Sequence, residues 1–241
     1  MGNIFKVFFG ISAIFLLSGC DFFDSEKRQI ELCENQLIEV YKNSPLNNFE
    51  RDKFSNLLIK RFSLYEEMFK EASVETSINS DLLAAISFQE SQWDPRAKSN
   101  MGVRGMMMVT LETAALVGVE KRLNPEQNIK GGARYLAILK DKNVFGKTTA
   151  DQLSITLSSY NLGPTNIINI AKTIDKIPSE ITWIDIEEKL KNINGEDVNL
   201  VDVNGYSRGQ QAIDYVYRIR SYYDLMAAHS CTNPKDQLTF F

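Results

Sequence analysis

The chain is poor in imidazole: its one histidine, His229, lies close to the C-terminus. That excludes most zinc, haem and serine–histidine schemes, each of which needs imidazole as ligand or base. His229 itself reads as a solvated residue at a helix end. Glycine-rich phosphate loops of the known spacings are absent. Basic charge is not in excess, with 27 Lys+Arg against 31 Asp+Glu and a formal net charge of −4, so no nucleic-acid partner is expected. Long apolar runs are missing too: the stretch Val7 to Leu17 falls short of the roughly 20 residues of a spanning helix. Alternating strand patterns are confined to a weak one in Val198 to Val203. The chemistry is left to carboxylates, hydroxyls and amides, with no metal or cofactor expected.

What is present begins with a processing signal. Lys6 precedes the apolar run, which only Gly10 and Ser12 interrupt, and Leu17-Ser18-Gly19-Cys20 follows. The run sits where a secretory h-region belongs. Small residues directly before a cysteine resemble the bacterial lipobox, which implies cleavage before Cys20 and lipid on its sulfur. Residues 1–19 are then a signal peptide, and the remainder lies on the periplasmic side of a bacterial membrane, anchored through Cys20. Asp21 after that cysteine resembles an inner-membrane retention signal. Cys33 and Cys231 remain, in a compartment that permits disulfides; a pair and two free thiols both fit the sequence.

The rest is globular in composition, 44% hydrophobic and 24% charged. Residues 20–60 read as a charged tether with short helices, interrupted at Ser44-Pro45. Residues 61–230 read as one mostly α-helical domain, and 231–241 as a tail. Helices are predicted from Asp81 to Gln92 with Ser80 as cap, from Thr110 to near Gly118, and from Asn124-Pro125-Glu126-Gln127 onward. Further helices are predicted over Ala150–Asn161, Thr165–Thr173, Trp183–Asn192 and Gly209–Ala228. Gly131-Gly132 would let a neighbour approach closely.

Glu90 conflicts with its surroundings. Leu82, Ile86 and Glu90 are spaced four apart and share one stripe, which Leu83 broadens. Asp94 before Pro95 ends the helix, so Glu90 falls in its last turns, facing the negative end of the dipole. Burial and dipole both raise a carboxyl pKa, and a carboxylic acid still protonated near neutrality can donate to a glycosidic oxygen. A surface glutamate at a frayed helix end has the same spacing, so spacing alone does not separate the two.

The surroundings do. Ala84-Ala85-Ile86-Ser87-Phe88-Gln89-Glu90-Ser91-Gln92-Trp93-Asp94-Pro95-Arg96-Ala97, then Ser99 and Gly102-Val103-Arg104-Gly105-Met106-Met107-Met108-Val109-Thr110, resemble soluble-lytic-transglycosylase-like domains. Asn128-Ile129 with Gly131 to Leu136, Ser159-Tyr160-Asn161-Leu162-Gly163, and Tyr206 to Asp224 match later blocks in order. This version looks like the F-type membrane-bound lytic transglycosylases. The resemblance implies a lysozyme-like helical fold with a substrate groove. It implies cleavage of the bond between N-acetylmuramic acid and N-acetylglucosamine in peptidoglycan, without water, to 1,6-anhydro ends. Glu90 would be the acid/base, with Ser91, Ser99, Met108, Tyr160, Asn161 and Tyr215 around the substrate.

Several of these residues have a second reading. Met106, Met107 and Met108 are core filler by type, with at most one in the groove. Tyr215 shares its helix with Val216, Ile219 and Tyr222, a packing pattern as much as a contact pattern. Trp93 suits a sugar face or a structural place at the helix exit. Gly102 and Gly105 would admit a bulky ligand close to backbone. The chain also departs from the pattern: relatives outside the F-type group carry glutamine at Met108, and Gln211 stands where glutamate is usual. Only about forty residues separate Cys20 from the match, so the solute-binding-like domain of F-type enzymes has no counterpart there. A lysozyme-like hydrolase and an inactive glycan-binding scaffold are the competing functions.

Overall fold

A computed structural model of the chain describes residue 28, residues 31–192 and residues 208–230. The lipobox, Tyr206, the weak strand pattern and the C-terminal tail lie outside the described residues. The chain divides between Asn43 and Ser44. In the first unit, residues 31–43 form helix α1. Cys33 is disulfide-bonded, and both Cys20 and Cys231 lie outside the described residues.

The second unit starts earlier than 61, the boundary expected from sequence, because α2 (Asn48–Lys60) belongs to it. Asn47 and Glu50 form a capping box that starts this helix. Its one buried residue, Phe54, is fully enclosed and packs on Phe88, Trp93 and Tyr222 at ring separations of 4.9, 5.5 and 5.6 Å. A single anchor on an otherwise polar helix leaves little periodicity to read.

After a 3₁₀ turn at Phe62–Leu64 come α3 (Glu66–Thr76) and α4 (Ser80–Ser91). The cap of α4 is Asn79, whose side chain accepts from the N–H groups of Asp81 and Leu82; Ser80, the expected cap, is the first helical residue. All residues from Asp81 to Phe88 are buried. The helix is therefore the centre of the unit, enclosed all round rather than on one stripe. It ends at Ser91 because Gln92 and Trp93 both turn left-handed, at φ 55° and 57°, before the restriction imposed by Pro95 is reached. Trp93 pays for that conformation with complete burial and an indole N–H···O bond of 2.9 Å to Ala84, which is the structural reading and not the sugar-stacking one.

The remaining helices are α5 (Leu111–Val117), α6 (Pro125–Lys142), α7 (Thr149–Leu162), α8 (Pro164–Ala171), α9 (Trp183–Lys191) and α10 (Arg208–His229). Thr110, Asn124, Thr148 and Thr182 cap their helices through side-chain oxygens, and Gly118 closes α5 in the left-handed conformation. No β-strand forms among the described residues. Helix α10 lies along α4 and also packs on α7 and α9, while α6 packs on α3, α5 and α7. A β-carbon at Gly132 would meet the Met107 side chain at 2.5 Å, so this glycine of α6 sets how closely the 92–110 loop can lie. His229 is exposed at the end of α10, as expected.

Candidate active site

The 92–110 loop has no regular element of its own and is organised from outside. The Asn128 side chain, fully buried on α6, accepts from the Met107 N–H at 2.7 Å. It donates to the Arg104 and Arg122 carbonyls at 2.9 and 2.8 Å. Arg122 donates to the carbonyls of Gly102 and Val109. From α4, the Ser87 and Ser91 hydroxyls both donate to the Met106 carbonyl, at 3.1 and 2.8 Å. Isolated antiparallel bridges join Lys98 to Arg104 and Arg104 to Val109. At Gly105, φ is +83° and a β-carbon would meet the Arg122 carbonyl at 2.3 Å and Asn128 Nδ2 at 2.4 Å. That glycine makes room for the protein's own anchor, not for a ligand as expected. The space around Gly102 is open, and its φ of +80° accounts for the residue type.

Glu90 stands in the last turn of α4, one residue before Ser91, partly open to solvent. The Tyr215 hydroxyl, from α10, donates to Glu90 Oε1 at 2.6 Å. Burial pushes the Glu90 carboxyl up to about 7, and the Tyr215 hydrogen bond opposes that rise. Among the described residues no second carboxylate contributes. Tyr160, in the last turn of α7, donates to the Met107 carbonyl at 2.9 Å. Burial and the nearby Glu90 charge hold both the Tyr160 and Tyr215 hydroxyls well above their usual range, so both stay protonated donors.

Beside this trio a groove of about 350 Å³ is lined by Met108, Val109, Glu112, Tyr135, Tyr160 and Asn161, among others. Tyr160 belongs to both places and joins them. Met106 and Met107 are fully buried, and Met108 alone of the three lines the groove, at a φ of 46°. Asn161 is exposed on the groove wall. Tyr215 is buried and reaches Glu90, so it packs and orients the acid at once. The Ser91 hydroxyl is committed to backbone carbonyls, which makes it a loop anchor. Ser99 accepts from the Met101 N–H at 3.2 Å inside the loop's own turn. Asp94 accepts from the Arg96 N–H, a turn role, at 2.9 Å.

Tyr135 was not picked out from sequence. It faces the groove from α6, its ring 5.4 Å from that of Tyr160. The signal available is an aromatic one turn beyond Gly131-Gly132, on a helix that buries Ile129, Ala133 and Leu136.

Removing the Tyr215 hydroxyl tests the pair directly. Tyr215→Phe takes away a bond that favours the carboxylate, so the Glu90 pKa rises above about 7. The alkaline limb of the pH–rate profile should move to higher pH while kcat falls. An unmoved limb would mean that Tyr215 only packs.

The helical fold is that of lytic transglycosylases. A lytic transglycosylase Slt from Pseudomonas aeruginosa, in an inactive mutant form, superposes with a TM-score of 0.53 at 19% identity, covering 74% of this chain and 26% of that one. The 70 kDa soluble lytic transglycosylase of Escherichia coli gives 0.52 at 20% identity, over 70% and 25%. Residues 67–180 match the transglycosylase SLT domain, and this part of the chain belongs to that family. It holds every expected site residue except Cys20 and Tyr215. A membrane-bound lytic murein transglycosylase F 2 from Alkalilimnicola ehrlichii is 39% identical over 169 residues, 69% of this chain and 37% of the relative. Transglycosylase F of Photobacterium profundum is 33% identical over 219 residues, 90% and 42%. The chain therefore spans well under half the length of these relatives.

Proposed function

We propose that the chain is a lytic transglycosylase that cleaves the glycosidic bond between N-acetylmuramic acid and N-acetylglucosamine in peptidoglycan. The observation that carries this reading is Glu90: one partly buried carboxyl raised to about 7 and held by Tyr215, with no second acid acting on it among the described residues. A glycosidase with two catalytic carboxylates needs a nucleophile or base across the bond. With one acid, the substrate's own 2-acetamido oxygen attacks C1 while Glu90 protonates the leaving oxygen, and the C1–O bond breaks. The Glu90 carboxylate then takes the proton of the C6 hydroxyl, O6 closes on C1, and the acetamido group is released. Glu90 ends protonated, water is not consumed, and the product carries a 1,6-anhydro ring. Tyr215 on Oε1 leaves Oε2 free to carry the moving proton.

Mass spectrometry of digested peptidoglycan tests this. Muropeptides lacking one water relative to reducing-end products are expected. Reducing ends carrying oxygen-18 from labelled solvent would make the enzyme a muramidase.

The lipobox supports a lipid anchor at Cys20, on the periplasmic side of the membrane; among the described residues no helix is long and apolar enough to cross a membrane. Cys20→Ser should leave a precursor that is neither acylated nor cut by the lipoprotein peptidase. A mature N-terminus elsewhere in the wild type would refute the anchor.

A further inference from the structure

We propose that Lys98 and Arg104 form a carboxylate-reading edge of the groove, selecting glycan whose muramic acid residues carry anionic groups. The inference rests on the reading of the groove as a peptidoglycan site and names what that site selects.

The charge pattern is the first observation. In a chain of net charge −4, residues 95–111 hold Arg96, Lys98 and Arg104 and no acid. The second is placement. Lys98 and Arg104 face each other across an antiparallel bridge, so their side chains rise on one face from α-carbons roughly 5 Å apart. Like charges directly opposite each other are unfavourable. Both are exposed, and among the described residues neither forms an ion pair. Lys70, Lys130, Arg134, Lys176, Lys191 and Arg218 each have a carboxylate partner. The third is continuity. Arg104 is bridged in turn to Val109, which lines the groove. The edge is thus one bridge away from the groove wall. Glu112, in the first turn of α5, is the groove's own carboxylate.

The two cations do not hold the loop. Asn128, Arg122, Ser87 and Ser91 do that, through backbone carbonyls and one N–H. Among the described residues no side-chain bond engages Lys98 or Arg104, and both are exposed to a ligand. Muramic acid offers carboxylates of two origins on the same side of the sugar: its lactyl group when unsubstituted, and the stem peptide when substituted. N-acetylglucosamine offers none.

The test uses the full chain carrying Glu90→Gln, so that binding is read without cleavage. Three probes are compared: chito-oligosaccharide, peptide-free peptidoglycan strands, and strands that keep their stem peptides. Adding Lys98→Ala with Arg104→Ala should weaken binding of carboxylate-bearing strands roughly three- to tenfold at low salt. The difference should shrink as salt rises. Chito-oligosaccharide affinity should not change, and Lys98→Arg with Arg104→Lys should restore the acidic probes. The strand that loses more identifies lactyl or peptide carboxylate as the source. An equal loss on the neutral probe, or unchanged affinity for both acidic ones, overturns the proposal. A parent that binds none of the three overturns it together with the glycan reading.

Discussion

Glu90→Gln should lower glycan cleavage by at least about 10²-fold, the range for a positioned acid, and at the same time make the protein more stable above neutral pH. The first effect follows because glutamine keeps size and hydrogen bonding but has no proton to transfer. Its amide oxygen can still accept from Tyr215, so the groove keeps its shape and glycan binding survives. The second follows from linkage. The Glu90 carboxyl titrates at about 7 in the fold against 4.5 when unperturbed. Between those values the native state binds more protons than the unfolded one, so stability falls as pH rises through that window. The full cost, on the order of 3 kcal/mol at 1.36 kcal/mol per unit, is reached above pH 7 and vanishes below about 4.5. Denaturant melts at pH 8 and pH 4 check it: the variant should gain at pH 8 and match wild type at pH 4. Near-wild-type turnover would remove Glu90 as the acid. A stability difference equal at both pH values would mean that the carboxyl is not desolvated.

The same residue shows what a sequence can convey. Caps and stops were readable where one local group decides them, as at Thr110, Gly118 and Asn124. The cap of α4 is Asn79 and not Ser80, since two good acceptors adjoin there and local pattern does not choose between them. Glu90 stood out through its spacing from Leu82 and Ile86, though the helix proved buried on every side, and only the neighbouring motif gave the spacing its weight. What stayed hidden is held by long-range bonds. Tyr215 reaches Glu90 across 125 positions, Tyr160 reaches Met107 across 53, and Asn128 reaches Met107 across 21. No periodicity encodes such partners. Ser91 stands around the substrate by resemblance alone; that its hydroxyl donates to the Ser87 and Met106 carbonyls is a contact no local pattern conveys. Phe54 and α2 went to the tether because one aromatic on a polar helix has no repeat.

Asn128 is where the loss of a single side chain should cost the fold most. Its amide uses both donors and its oxygen, all without solvent contact. Asn128→Ala strands the Met107 N–H and the Arg122 carbonyl, leaves the Arg104 carbonyl with only the Val109 N–H, and opens a cavity. At about 1 kcal/mol or more per abandoned group plus the cavity, a loss of about 2–4 kcal/mol is expected. Because Met107 carries the acceptor for Tyr160 and precedes Met108 of the groove wall, glycan binding should fall in the fraction that still folds. Asn128→Asp distinguishes the donors from the acceptor. An aspartate can still accept from Met107, but as an anion it faces the Arg104 and Arg122 carbonyls where the amide donated. It should be at least as damaging as alanine at pH 7. Its buried carboxyl would titrate above the usual range, so its stability should recover as pH falls and the protonated form regains one donor. Denaturation of the three proteins at pH 5 and pH 7 separates the cases. If aspartate were as stable as asparagine at pH 7, the two donated bonds would carry no weight, and the loop would owe its shape to Gly105, Gly132 and the serines of α4 instead.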